Sequence, residues 1–356
     1  MKIRPLVCST IVSTLGLLAG CAPGAHAPAT APPADDPLLL PFARILRAED
    51  RRQMDGDLAS ALSDPRAEVR ARAALAVARI APADAGTLLE AALGDPDARV
   101  RREAALGLGL LADPAGLAAL VEAARDGDPR VREDVAEALG RIRDVSSASA
   151  LSALLADAEP MVRAKACLAA WRLPDPSFAI DPLIEASRSS DPMLAFAADY
   201  ALARLGAAGS EPTASGAPVA RLEDVARRRV RDRLLAVASS KVPEQRIQAA
   251  RGLAAPENAL ETRTLGALLK DPEVAVQVAA TRSLCFPFAP IDPWIRTALL
   301  SETAAVAQTA VEGLGRVASP LATDILVLSL AKDPRVFVRE TAIAALGKAN
   351  PELARS

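Results

Sequence analysis

Side chains able to carry acid–base, nucleophilic or metal chemistry are sparse in this chain. Its one histidine, His26, lies in a Pro- and Ala-rich stretch, APGAHAPATAPPADDP over residues 22–37, that has no apolar periodicity. A single imidazole there excludes Ser–His–Asp and Cys–His sites and the common zinc sets. No glycine-rich loop opens a helix toward a phosphate, because Gly107 and Gly109 sit where a helical pattern closes. Adjacent acids such as Glu133 and Asp134 are expected on solvated helix faces, where nothing would tune them as general acid and base. The formal net charge of −2 argues against a nucleic-acid partner. The expectation is a protein that is not an enzyme and holds no metal or cofactor.

The four cysteines divide into two kinds. Cys8 and Cys21 belong to an N-terminal segment that starts with Lys2 and Arg4 and continues in an apolar run from Ile11 to Ala19. The run is too short for a permanent membrane span and reads as a signal peptide over residues 1–20. It ends in Leu18-Ala19-Gly20-Cys21, which resembles the lipobox of bacterial lipoproteins. The resemblance implies cleavage before Cys21, a lipid on its thiol, and anchoring in the bacterial cell envelope, with the membrane leaflet left open. The alternative is an ordinary secretory signal that happens to contain a cysteine. Residues 21–41 would form a semi-rigid tether. Cys167 and Cys285 fall in helical patterns far apart and are expected as buried small hydrophobes, not as a disulfide.

The elements that must position everything else are repeats. Segments with a Val–Arg step, such as DPRAEVRARAALAVARI and DPDARVRREAALGLGLL, recur nine times. Their anchors are Val69, Val100, Val131, Val162, Leu194, Gln245, Val276, Val306 and Val338, spaced by 30 to 32 residues except for one step of 51. Apolar residues at offsets 0, 4, 8 and 11 from each anchor span roughly 80° of a helix and form one buried stripe. Upstream of the anchors run shorter apolar helices, for instance GTLLEAALG and GLAALVEAA. With 51% hydrophobic residues but only 3% aromatics, small side chains must fill the core, which suits closely stacked helices. The expected fold is all-α, a right-handed α-solenoid of about nine helical hairpins. Residues 42–205 would hold repeats one to five, 206–220 a Gly/Pro/Ser-rich loop, and 221–356 repeats six to nine.

Two polar series keep the repeat's period. Five residues before the anchors stand Asp64, Asp95, Asp126, Asp157, Asp271 and Asp333, with serine in the other repeats. Directly after the anchors stand Arg70, Arg101, Arg132, Arg163, Arg246 and Arg339. At about 100° around the helix these arginines should be half-buried and need a carboxylate or carbonyl. Repeats five and eight lack both members (Ser189 with Ala195, Ser301 with Ala307), as pairing would require. If arginines reach the next repeat, Arg70 meets Asp95, Arg101 meets Asp126, Arg132 meets Asp157 and Arg246 meets Asp271. A structural ladder is expected, with an anion site as the functional alternative.

The face opposite the buried stripe is sampled by offsets 2, 6 and 10. It carries Leu75, Leu106, Leu110, Leu168, Phe196 and Tyr200, with Trp171 at its border. Beside them at offset 10 run Arg79, Arg141, Arg172 and Arg204, continued by Arg316 and Lys348. If left uncovered, this face would be an apolar groove with a cationic edge, fit for an extended or helical protein segment bearing acidic residues. The bland alternatives are that neighbouring helices cover the strip and that the cations serve helix C-termini. The arginine run RRRVRDR at 227–233 is expected to be the solvated face of a long helix, with anionic lipid headgroups as its functional alternative.

The repeats at 45–350 resemble the short HEAT-like repeats named after phycobilisome lyases, a likeness specific for fold and weak for function. The stretch from Ile45 also looks like the start of the HEAT array that precedes the cyclophilin domain of some exported bacterial prolyl isomerases. No β-barrel domain is expected here, so isomerase activity does not carry over; a role in holding a client does. The resemblance implies a membrane-anchored scaffold for a protein or peptide partner in the envelope. The alternative is a non-catalytic accessory or chaperone-like subunit of an envelope enzyme.

Overall fold

The structure, a computed structural model, is described over residues 38–207, 222–285, 293–317 and 320–349. The signal segment, Cys21 and most of the expected 206–220 loop lie outside the described residues. Helix α1 (Leu39–Arg51) is followed by nine hairpins. These are α2 and α3 (Gly56–Ala61, Ala67–Ile80), α4 and α5 (Ala85–Leu93, Ala98–Leu111), and α6 and α7 (Leu117–Ala123, Pro129–Ile142). Next come α8 and α9 (Ala148–Leu155, Pro160–Ala170), α10 and α11 (Ile180–Ala186, Pro192–Gly206), and α12 and α13 (Asp224–Val237, Pro243–Gly252). The last are α14 and α15 (Ala259–Leu268, Val274–Leu284), α16 and α17 (Pro293–Leu299, Ala304–Leu314), and α18 and α19 (Pro320–Lys332, Val336–Ala349). No strand occurs among the described residues, and the fold is an all-α solenoid.

Local chemistry starts each second helix in the same way. The Asp or Ser five residues before the anchor accepts, on its side-chain oxygen, the backbone N–H two residues on. Asp95 does so for Asp97, Asp126 for Asp128, and Ser189, Ser240 and Ser301 do it in their repeats. Only a short oxygen-bearing side chain closes such a turn, which is why this position alternates between Asp and Ser. Proline then opens α7, α9, α11 and α13 at a place where its missing N–H is harmless. The anchors are buried, apart from half-buried Gln245, whose amide oxygen accepts from the Ser240 hydroxyl.

The two layers of the stack are spaced differently. Second helices of successive repeats lie along one another down the whole row, whereas neighbouring first helices scarcely touch. Apart from Trp171 in repeat four, the close row is made by small residues at offset 9 of one repeat and offset 7 of the next. Gly109 faces Ala138, Gly140 faces Ala169, Ala203 faces Gly252 and Cys285 faces Gly313. A Cβ built at Gly140 would stand 2.7 Å from the Ala169 Cα, so the backbones are in contact there. A stack with one layer spaced more closely bends toward that layer, which makes the second helices its inner face. Cys167 and Cys285 are free thiols buried in this row, and burial pushes each up to about 12, where the thiolate is not populated at neutral pH.

The arginine run on α12 departs from the expectation of a solvated face. Arg228 and Arg229 are exposed, but Arg231 is buried and holds Glu261 through two hydrogen bonds, at 2.8 and 2.5 Å. Arg233 reaches back to the Ser187 hydroxyl and carbonyl, each at 2.9 Å. These guanidinia tie α12 to repeats five and seven.

Candidate functional site

The arginines after the anchors each join two repeats. Arg70 donates from Nε and Nη2 to the Asp95 carboxylate at 2.7 and 2.8 Å, and its Nη1 donates to the Asp64 carbonyl at 2.8 Å. Arg101 with Asp126, Arg132 with Asp157 and Arg246 with Asp271 repeat this geometry. Each aspartate also carries its turn N–H, so both its oxygens are used. The Arg70, Arg101 and Arg132 hydrogen bonds hold their aspartates below the ordinary carboxylate range; for Asp271 burial is the largest influence and opposes, and Arg246 together with the Glu273 N–H outweighs it. Among the described residues Arg163 and Arg339 bind only the carbonyls of their own turns, while Asp64 and Asp333 pair with Arg66 and Arg335.

Because the pairs run between repeats, losing both members within repeats five and eight has a different cause from the one the spacing suggested. Each ladder arginine also satisfies the carbonyls of its own turn, and in repeat eight, where it is absent, Arg335 donates to the equivalent Ser301 carbonyl and to that of Leu299. In repeat five Arg233 donates to the Ser187 carbonyl, two residues before the equivalent Ser189. In repeat seven, Gln277 donates to the Asp271 carbonyl at 2.6 Å.

The inner face is set by the same helices. Offsets 7 and 9 touch the two neighbouring second helices, and offsets 0, 4, 8 and 11 face the first helices. Only the arc from roughly 200° to 300°, holding offsets 2, 3, 6 and 10, is left for solvent. On it Leu110 and Phe196 are exposed, while Leu75, Leu106, Leu168 and Tyr200 are half-buried, as is Trp171 at its border. Arg79, Arg141 and Arg204 are exposed and Arg172 is half-buried. The strip is partly covered rather than sealed. Lys348 lies outside the residues whose side chains are described.

Ion pairs cross this arc in its first half. Arg72 and Arg79 meet Glu49, and Arg102 meets Asp134 at 2.8 Å. Glu137 accepts from Arg141 and Lys165. Asp134 is thus buried, not solvated as its sequence context suggested, and burial raises its carboxyl above the ordinary range against the pull of Arg102. Burial also pushes Glu137 up, but the hydrogen bonds from Arg141 and Lys165 outweigh it. Apart from Arg141 with Glu137, four residues apart on α7, these rungs link different offsets across 23 to 32 residues, so the fixed-offset reading that found the ladder passed over them.

An aromatic group closes the strip at repeats four and five. Trp171 and Tyr200 meet edge to face at 6.2 Å between centroids, and Phe196 lies 6.4 Å from Tyr200. The Arg204 guanidinium sits 4.9 Å from the Trp171 ring centre and that of Arg172 at 5.7 Å, within cation–π range. On the outer side, a cleft of about 300 Å³ is lined by Arg188, Arg229 and Arg233, yet Asp181 holds Arg229 and Ser187 holds Arg233. Among the described residues no cluster of His, Cys, Asp or Glu is placed to hold a metal ion. Nor is any described helix long and apolar enough to cross a membrane.

A solenoid of stacked hairpins with a polar ladder at its turns and an open inner face is a helical scaffold for protein interaction. The sequence matches the family of HEAT repeats over residues 56–140, 86–169 and 262–347, more than half of the chain, and the protein belongs to that family. Among solved structures it is similar to an engineered protein, at 21% identity and a TM-score of 0.53 over 86% of this chain and 90% of that one. Human deoxyhypusine hydroxylase in complex with glycerol aligns at 21% identity and a TM-score of 0.31, over 88% and 98% of the two chains. Escherichia coli YibA aligns at 14% identity and a TM-score of 0.42, over 86% and 96%. The engineered protein supports the fold alone, and the other two carry no argument. The search of curated proteins found no match.

Proposed function

We propose that this protein is a lipid-anchored scaffold of the bacterial cell envelope whose inner face holds a segment of a partner protein. The observation that carries the reading is the inner arc of repeats one to five. Leu110 and Phe196 stand exposed beside the half-buried Leu106, Leu168 and Tyr200, with the arginines Arg79, Arg141 and Arg204 along their edge. Apolar side chains in a row rimmed by cations suit a protein segment better than a small molecule. Anchoring rests on Leu18-Ala19-Gly20-Cys21 and the apolar run before it.

Two experiments test the two halves. Cys21→Ser should abolish palmitate labelling and release the protein from membranes; a variant that keeps its label and its membrane association refutes the anchor. Replacing Leu106, Leu168 and Tyr200 by Ser together should abolish crosslinked partner capture while far-ultraviolet circular dichroism stays unchanged. Full capture by that variant refutes the inner-face reading. Capture of one dominant enzyme would favour the accessory-subunit role over a general scaffold.

A further inference from the structure

We propose that the inner face of repeats four to seven is a cationic groove built for an extended acidic segment of a partner protein. The proposal rests on the scaffold reading and adds the chemistry of the ligand. Four consecutive second helices or their ends place one arginine each on the open side: Arg172, in the turn just past α9, and Arg204 of α11 at offset 10, then Arg251 of α13 and Arg282 of α15 at offset 6. Among the described residues none of the four has a carboxylate within ion-pair distance. Arg204, Arg251 and Arg282 are exposed.

The contrast with the first half of the array gives this its meaning. In repeats one to three the inner-face cations are matched, Arg72 and Arg79 by Glu49, Arg102 by Asp134 and Arg141 by Glu137. In repeats four to seven these arginines have no matching acid on their own helices, although Glu137 of repeat three reaches across to Lys165 of repeat four. Helices α9 and α15 contain no carboxylate, and Asp199 of α11 is fully buried. The remaining acid on these helices, Glu244, stands at the start of α13, about 10 Å along the helix from Arg251. Guanidinium groups left unpaired in a row, within a protein of formal net charge −2, make a local field complementary to a short anionic segment. A long polyanion would meet the acidic remainder of the molecule.

Spacing narrows the ligand further. Neighbouring packed helices lie about 8–10 Å apart. An extended polyproline-II segment advances about 9 Å every three residues, so acids about three residues apart keep step with the repeats, with a shift of about 6 Å along the helix axis between Arg204 and Arg251. Phe196, Tyr200 and Trp171 flank the first two arginines and offer apolar contact to one large side chain between the acids.

The test uses the full chain and a fluorescein-labelled dodecapeptide with Glu at every third position and one central Phe, read by fluorescence anisotropy. The Glu peptide should bind and its Lys counterpart should not. Raising salt from about 50 to about 500 mM should weaken binding tenfold or more as the charges are screened. Arg251→Gln with Arg282→Gln should weaken it about tenfold or more while the melting curve is unchanged, since neither side chain has a partner to lose. Arg228→Gln, exposed on α12, should bind as the unaltered protein does. Equal binding of the Glu and Lys peptides, or full binding by the double variant, overturns the proposal. So does tighter binding of oligouridine or of phosphatidylglycerol vesicles at the same arginines. If partner capture survives the double variant yet is lost on replacing Leu106, Leu168 and Tyr200, the scaffold stands and only its preference for acids falls.

Discussion

A ladder arginine serves three groups at once: the carboxylate of the next repeat, the carbonyls of its own turn and, through that carboxylate, the next turn's N–H. Removing one leaves a half-buried carboxylate with a single donor. Arg132→Ala should therefore lower stability by about 2–4 kcal/mol in denaturant unfolding. Arg163→Ala, which frees only carbonyls able to meet water, should lower it by clearly less. The paired aspartates, held below their usual range, contribute stability above the unfolded carboxylate pKa of about 3.9 and lose it as pH falls through their folded values. Asp199 has the opposite sign. It is fully buried, takes the Ser187 hydroxyl on Oδ1, and has no donor for Oδ2 among the described residues. Burial raises its carboxyl above the usual range, so its ionisation lowers stability as pH rises through that value. Asp199→Asn should be more stable than the unaltered protein at neutral pH and lack that part of the pH slope, as read by melting temperature from pH 4 to pH 8.

At the scale of helices, glycine has two different meanings. In α4, a Cβ at Gly86 would meet nothing within 4 Å, so Gly86→Ala should stabilise by up to about 1 kcal/mol through helix propensity alone. In α7, a Cβ at Gly140 would press on the Ala169 Cα, a backbone atom that cannot rotate away. Gly140→Ala gains the same propensity but must separate α7 from α9, and should destabilise by about 1–3 kcal/mol. Paired urea titrations of the two variants check the opposite signs. The hairpins themselves were legible, because the anchors at 69, 100, 131 and 162 repeat one buried stripe and one Asp or Ser turn. Arg251 and Arg282 were within reach of the same reasoning: the offset that picks out Leu168 and Tyr200 in repeats four and five picks them out in six and seven. What stayed hidden were contacts without a period. Arg231 with Glu261, Arg233 with Ser187 and Arg335 with Ser301 arise where the repeat is broken, and only the folded chain brings them together.

Across the whole molecule the ladder is interrupted. Charged rungs join repeats one to four in series and six to seven, whereas Arg163, Ala195 and Gln277 face serines in the next repeat and Ala307 faces Asp333 with no charge of its own. A linear stack is as stable locally as its nearest-neighbour contacts. Native-state hydrogen exchange should thus find the slowest amides in α3, α5 and α7 and the fastest second-helix amides in α17 and α19; uniform protection along the row would contradict this. The uneven spacing of the two layers has a mechanical consequence as well. With inner backbones touching at glycine and alanine and outer helices apart, except where the α12 arginines tie α10 and α14, bending moves the outer layer and leaves the inner one at constant length, as the neutral axis of a beam does. The array can change curvature without changing the pitch between successive inner-face side chains: it is a ruler that flexes but does not stretch. Labels on adjacent outer helices should report a spread of distances in solution, and labels on adjacent inner helices a single one.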